Sequence, residues 1–236
     1  MKKWIKRIVL TCLAVLLISG AVLGCLGYTC YREALEEENL TDKIESIRGE
    51  PGYVQIGDLP ETYLDAVVAV EDHRFWEHGG IDLIAVGRAA RNNLLSGSLK
   101  EGGSTITQQL ARNLYFTQEK TFTRKVAEMF LACKLEREYT KEEILELYVN
   151  TIYFGDGYYG IREASLGYYG KEPRNLNPYE CTMLAGLPNA PSAYAPSRHP
   201  ELAEQRRQAV VRRMVAYGYL NEQEGKQLEA ERPSLP

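Results

Sequence analysis

The chain has 236 residues, of which 44% are hydrophobic and 25% charged, the size and balance of one folded domain with a short additional segment. Its formal net charge is −4. Taking Lys2, Lys3, Lys6 and Arg7 from the 28 basic residues leaves 24 against 32 acidic ones, or −8 for the remainder, which argues against nucleic acid as a partner.

Between Arg7 and Arg32 run 24 uncharged residues, IVLTCLAVLLISGAVLGCLGYTCY, which as a helix reach about 36 Å against a hydrocarbon core of about 30 Å. The reading is a transmembrane anchor over 8–31, with residues 1–7 as a cytoplasmic leader and everything after Arg32 outside the cell membrane. A cleaved signal peptide is the alternative, but the run is long and lacks a small-x-small cleavage site, and Leu23 fits a lipoprotein signal ending at Cys25 poorly. Cys12 and Cys25 lie in this run and Cys30 beside it, while Cys133 and Cys181 fall in apolar helical patterns. Five cysteines so placed make no disulfide framework, and free thiols are expected.

Residues 32–58 are charged and contain a Pro51-Gly52 turn, which reads as a stalk, and 59–236 as the main domain. Helix signals dominate from there. Pro60 opens a helix with apolar Leu64, Val67 and Val68, and Asp82 caps one running to about Leu95, stopped near Gly97. Thr121 to Glu138 carries the stripe Val126, Met129, Phe130 and Cys133. Thr140 with Glu143 and Asn221 with Glu224 are capping-box pairs, and Asn177-Pro178 joins an N-cap to a first-position proline, with Pro188 ending that helix. The last two helices are expected over Glu201 to Tyr217 and Glu222 to Glu231. No alternating strand or internal repeat is present, so the fold class is mainly α. Two loops stand out: Ser96 to Ser104, rich in glycine and serine and expected to be mobile, and the aromatic turn Tyr153 to Gly160.

Three stretches carry chemistry. In EDHRFWEHGG, residues 71 to 80, Glu71 continues the apolar face of its helix at i+7 from Leu64. A carboxylate so placed is desolvated and suited to proton transfer; the alternative is a solvated helix end capped by Gly79-Gly80. His73 and His78 are five apart, the wrong spacing for a zinc pair, and His78 reads as a hydrogen-bond partner orienting a neighbour. In GGSTITQQLARN, Ser104 and Thr105 start a helix whose N–H groups could receive an anion near Gln108, Gln109 and Arg112, with Ser104 as a plain N-cap the competing reading. In RKVAE, Arg124, Lys125 and Glu128 share the polar side of a helix, as a surface salt bridge or a phosphate clamp. An acid, a flexible loop, a cationic cluster and an anchor together suggest a substrate with both a lipid and a phosphate.

With these residues the chain resembles the peptidoglycan glycosyltransferases, which occur as monofunctional enzymes and as the N-terminal module of class A penicillin-binding proteins. E-D-x-x-F-x-x-H-x-G is met by Glu71, Asp72, Phe75, His78 and Gly80. G-x-S-T-x-x-Q-Q is met by Gly102, Ser104, Thr105, Gln108 and Gln109, and R-K-x-x-E by Arg124, Lys125 and Glu128. KEEILELYVN supplies Lys141, Ile144, Tyr148 and Asn150. IYFGDGYYGIREAS, LAGLPNAPSAYAP and RRQAVVRRM are also similar, from about Leu59 to Met214 in the family's order. Tyr169 stands where phenylalanine is usual and Arg112 where lysine is also common.

The resemblance implies a lysozyme-like helical domain with a smaller membrane-facing lobe that polymerises lipid II and releases undecaprenyl diphosphate. Glu71 would be the general base, and Glu128 would assist near the donor. Arg112, Arg124 and Lys125 would hold the diphosphate. Asp72, Phe75, His78, Ser104, Thr105, Gln108, Gln109 and Asn150 complete the substrate-binding set. A divalent cation, Mg2+ or Mn2+, is admitted near Glu71 and Glu128, and no organic cofactor is implied. The partners would be lipid II, the growing glycan chain, the bilayer, and penicillin-binding or other cell-wall synthesis proteins. A phosphoglycolipid of the moenomycin type is expected to order the Ser96 to Ser104 loop. With no S-x-x-K and no K-T-G, a transpeptidase domain is not expected and the enzyme reads as monofunctional. A lytic glycan hydrolase and a non-catalytic scaffold are the competing readings.

Overall fold

The computed structural model describes residues 2–97, 102–117, 119 and 121–231. Twelve helices follow in order among them: α1 (Lys2–Glu37), α2 (Leu40–Arg48), α3 (Glu61–Glu71), α4 (Leu83–Ser96), α5 (Ile106–Tyr115), α6 (Phe122–Glu138), α7 (Lys141–Thr151), α8 (Gly160–Tyr169), α9 (Pro178–Gly186), the single turn α10 (Pro191–Tyr194), α11 (Pro200–Ala216) and α12 (Glu222–Ala230). The expectation of a mainly α chain holds. Among the described residues the extended pairing is confined to one bridge, Tyr153 with Tyr159, which closes the aromatic turn.

Side chains written into the sequence start these helices. Asp82 accepts from the N–H groups of Ile84 and Ala85 at the head of α4, and capping boxes form at Thr140/Glu143, Asn177/Glu180 and Asn221/Glu224. Gly97, at φ 63°, ends α4 in the left-handed conformation that glycine tolerates. Residues 98–101, the middle of the loop expected to be mobile, lie outside the described residues.

The core gathers α3, α9 and α11 on one side and α5, α6 and α7 on the other, around Tyr63, Val67, Leu110, Leu131, Tyr148, Leu184 and Val211. Leu40 and Ile44 of α2, within the stretch read as a stalk, belong to the same core, each 1% exposed. Packed structure therefore begins before residue 59.

Helix α6 departs from expectation in one respect. It buries Ala127, Glu128, Leu131, Ala132 and Leu135 in the domain, whereas Val126, Met129 and Cys133 are partly exposed and Phe130 is exposed. The helix has two apolar faces, and the sequence stripe is the one that meets α1. There Gly27 lies so close to Val126 that a Cβ on it would sit 2.5 Å from the valine Cβ. Phe130 packs on Tyr28 and Tyr31 with ring centroids 5.3 and 5.9 Å apart. Helix α1 is, among the described residues, the one helix long and apolar enough to cross a membrane, with a mean hydropathy of 2.6 over its most apolar stretch. All five cysteines are free.

Candidate active site

Helix α3 ends because Asp72 leaves helical geometry at φ −158°, which sets Glu71 and Asp72 facing different surroundings. The Glu71 side chain is 8% exposed. Gln109 Nε2 donates to its Oε2 at 3.0 Å, and Arg206 Nη2 stands 3.6 Å from Oε1. Burial raises the Glu71 pKa above the ordinary carboxylate value, and the Gln109 hydrogen bond with the charges of Arg206 and Arg112 opposes that rise in part. Buried Tyr148 donates its hydroxyl to Gln109 Oε1 at 3.4 Å, which fixes the amide with its NH2 toward Glu71.

Asp72 points behind the site. Its Oδ1 pairs with His78 Nε2 at 2.9 Å, and its Oδ2 accepts from the N–H of Ile106 at 3.0 Å. Burial works against protonation of His78, but the hydrogen bonds to Asp72 and to the Gly79 carbonyl override it and hold the imidazole pKa above its usual value. Thr105 donates to the Gly80 carbonyl at 2.8 Å, and Phe75 is fully buried with Lys141 Nζ 4.3 Å from its ring centroid. The turn after α3 is thus bolted to the start of α5.

Glu71 lies on the wall of a cleft of about 590 Å³, whose lining includes His73, Gly102, Ser104, Gln109, Arg112 and Asn189. Among the described residues Glu71 is the one acid on that lining, and Arg88 of α4, Arg112 of α5 and Arg206 and Arg213 of α11 bring four cations to it. His73 stacks on Tyr217 with centroids 4.0 Å apart and lies 3.3 Å from Arg88 Nη1. Burial, then Arg88 and Arg213, lower its pKa and favour the neutral ring that accepts from Arg88.

The RKVAE cluster abuts this cleft at Ser104, whose Oγ accepts from Lys125 Nζ at 2.7 Å. Arg124 Nη1 and Lys125 Nζ each stand 2.9 Å from a carboxylate oxygen of Glu128. Glu128 is 1% exposed, so it faces inward, not along the polar side of α6, and the surface salt bridge reading fails. Arg124 also donates to the Thr117 carbonyl at 3.2 Å.

Of the residues read from the sequence, Glu71, Ser104, Gln109 and Arg112 line the cleft, with Arg124, Lys125 and Glu128 beside it. Asp72, Phe75, His78, Thr105 and Gln108 lie behind it as its support. Thr105, not Ser104, caps α5, in a capping box with Gln108. Because the N–H groups of Thr105, Ile106 and Gln108 are already engaged, this helix start offers an anion less than the motif suggested. Asn150 is elsewhere: its amide accepts from the N–H of Val54 at 2.9 Å and donates to the Val54 carbonyl at 2.8 Å. Arg88 and Tyr217 had no signal in the sequence, His73 was weighed there only as half of a zinc pair, and Arg206 and Arg213 sit in RRQAVVRRM, noted there only for its resemblance.

The carboxylates are not arranged for a divalent cation. Both oxygens of Glu128 face a cation, and Glu71 faces Gln109 and Arg206. Asp72, His78 and Asp82 do bring ligand-type atoms within 4.8 Å of one another. Asp72 is held by His78 and Ile106, and Asp82 by two helix N–H groups with Arg74 3.6 Å away.

Residues 38–215 match the family model described as Transglycosylase. A presumed transglycosylase of Cupriavidus necator is 44% identical over 218 residues, 92% of each chain. Penicillin-binding protein 1F of Bacillus subtilis is 47% identical over 171 residues, covering 72% of this chain and 24% of the relative. Penicillin-binding protein 1A of Aquifex aeolicus is 49% identical over 168 residues, covering 71% and 23%. The chain thus spans about a quarter of the length of these two relatives. The crystal structure of penicillin-binding protein 1A from Haemophilus influenzae aligns with a TM-score of 0.48 and 23% identity, over 78% of this chain and 18% of that one. The chain belongs to the transglycosylase family, the peptidoglycan glycosyltransferases.

Proposed function

We propose that the protein polymerises lipid II into linear β-1,4 glycan strands, with Glu71 as the general base. The observation that carries this reading is one buried carboxylate on the wall of a cleft otherwise ringed by arginines. Glu71 takes the proton from the 4-hydroxyl of the acceptor GlcNAc as that oxygen attacks C1 of the donor MurNAc. The bond from C1 to the phosphate oxygen breaks, undecaprenyl diphosphate leaves with the electron pair, and the α-linked donor becomes a β-linked product. Arg112, Arg124 and Lys125 stabilise the charge that grows on the departing diphosphate, which favours the transition state over the ground state. Glu128 holds Arg124 and Lys125 in place.

The same reading makes α1 a single-pass anchor in the cell membrane, with the N-terminus cytoplasmic and the domain outside. Exposed Leu83, Ile84, Leu94, Leu95 and Phe122 on α4 and the head of α6 suit a lobe resting against lipid. A hydrolase acting on finished wall would also use a buried acid, but finished glycan carries no diphosphate, and four arginines with RKVAE favour a substrate that does.

The test is lipid II polymerisation in detergent or liposomes by wild type and Glu71→Gln, with products resolved by length. Polymer from wild type and a loss of at least about a hundredfold in the variant are expected, the low end for general base catalysis. Muropeptides released from finished wall would point to the hydrolase, and no polymer from a folded protein that binds lipid II would point to a scaffold.

A further inference from the structure

Four side chains of the cleft lining form a ladder from one helix to another: Arg88 of α4, His73 of the turn after α3, and Tyr217 and Arg213 at the end of α11. The His73 and Tyr217 rings lie nearly parallel, 14° apart, with centroids 4.0 Å from each other. Tyr217 is fixed in turn by Arg213, whose Nη1 donates to its hydroxyl at 2.9 Å. With the plane of the imidazole so set, its Nε2 meets Arg88 Nη1 at 3.3 Å. A guanidinium only donates hydrogen bonds, so this contact exists while Nε2 carries a lone pair and the ring proton sits on Nδ1. Around the ring stand Arg88 from α4, Arg213 and Tyr217 from α11, and Asp72 and Arg74 in its own turn. Of these Asp72 favours a charged ring, and burial with the three arginines prevails over it. Helix α4 has a shallow seat, since Ala89 is, among the described residues, its one buried residue. Arg88 itself is exposed, a long side chain with much rotamer freedom.

We infer that His73 is a positioning residue: clamped against Tyr217, it holds the Arg88 guanidinium at the cleft wall and ties α4 to α11. The use of Arg88 toward an anionic substrate rests on the proposed function, whereas the tie itself does not. A long cation fixed in advance has less freedom left to lose when that substrate arrives, which tightens binding without acting on the chemical step. His73 need not touch the substrate to do this. A histidine that only packed on Tyr217 would leave Arg88 free to turn into solvent, and the two roles separate in what Arg88 does to the imidazole.

The test uses the full chain in detergent. It carries three histidines, His73, His78 and His199, so its imidazole NMR signals can be assigned with single glutamine variants. At neutral pH His73 should show the tautomer with Nε2 unprotonated, and its titration should lie below the usual histidine value. Arg88→Met should raise that midpoint and mix the tautomers; Arg88 is exposed, so its loss leaves the core intact. A His73 that titrates alike in wild type and Arg88→Met would overturn the inference. The second arm is turnover of lipid II at neutral pH. His73→Gln keeps an oxygen acceptor and stays neutral, whereas His73→Arg is a permanent cation that can only repel Arg88. KM should be about tenfold higher for His73→Arg than for His73→Gln with kcat alike, the mark of lost uniform binding and near the low end for a hydrogen bond to a charged group. An equal or lower KM for His73→Arg would show that residue 73 acts on the wall by its charge and does not place Arg88, which would also overturn it. The NMR readout needs no turnover, so polymerisation with a His73 indifferent to Arg88 defeats this inference alone, and the expected tautomer and titration without polymerisation defeat the function.

Discussion

Asp72 Oδ2 accepts a hydrogen bond from the backbone N–H of Ile106 at 3.0 Å, joining the end of α3 to the start of α5. Helix α3 ends in Glu71 and α5 carries Gln109, the residue that donates to Glu71. One carboxylate thus sets the spacing between the acid and its hydrogen-bond donor while standing outside the cleft.

Asp72→Asn keeps the shape of that link and removes its charge. It should lower stability by about 2 kcal/mol, as for a hydrogen bond to a charged group, read from the urea midpoint. The His78 imidazole pKa should also fall, because the Asp72 carboxylate that opposes burial is lost while the Gly79 hydrogen bond remains. An unchanged His78 titration followed by NMR would contradict this.

The pH dependence of stability follows from Glu71. Its pKa in the folded protein is raised by burial, so its contribution is full below the unfolded carboxylate value and is lost as pH rises through the folded one. Glu71→Gln should therefore be more stable than wild type at neutral pH, and the gap should close in acid. On the proposed mechanism activity runs the other way, since Glu71 would have to be ionised to act as base: the acid limb of kcat/KM should have its midpoint above the ordinary glutamate value. Thermal unfolding of both proteins across the acid range, beside the pH profile of the wild type, decides both points.

Tyr148→Phe removes the hydroxyl that orients the Gln109 amide. The Gln109 bond holds the Glu71 pKa down, so losing its orientation should move the acid limb upward and lower kcat about threefold near that limb, under about 1 kcal/mol for a long neutral hydrogen bond. KM should stay. A fall in kcat with an unmoved pH profile would assign Tyr148 to packing alone.

Gly80→Ala tests how tightly the turn is seated. A Cβ there would lie 2.7 to 2.9 Å from backbone atoms of Ala132 and Cys133 in α6, which cannot step aside as a flexible side chain does. A loss of about 1–3 kcal/mol is expected, the usual cost of overpacking. A denaturation midpoint within error of wild type would show that the turn can shift.

Helix starts are legible in this sequence because a cap needs only near neighbours, as at Thr140/Glu143, Asn221/Glu224 and Asn177-Pro178. Glu71 is legible for the same reason, as the continuation of a local apolar stripe. The buried face of α6 is not. Val126 and Phe130 look like core by periodicity, and only the arrival of α1 shows that they serve a second interface while Glu128 faces the domain. Ser104 and Thr105 are both good cap residues, and the choice is made by Gln108 and by Asp72, more than thirty residues away. Arg88 and Arg213 become site residues only when α4 and α11 are brought to the same cleft, a relation no local pattern records. Asn150 lies in the same string, KEEILELYVN, as Tyr148, yet Tyr148 serves the cleft through Gln109 and Asn150 fastens Val54.

The seat of Gly27 on Val126 makes α1 and α6 a single lever. A spanning helix answers a mismatch between its apolar length and the thickness of the bilayer by changing its tilt. Here a tilt of α1 would pass through a close contact in which only the short Val126 side chain meets Gly27, into the helix that bears Arg124, Lys125 and Glu128. With α1 as the proposed anchor, bilayer thickness would bear on the position of that cationic cluster, so on the proposed function lipids of different chain length would tune turnover without touching the substrate.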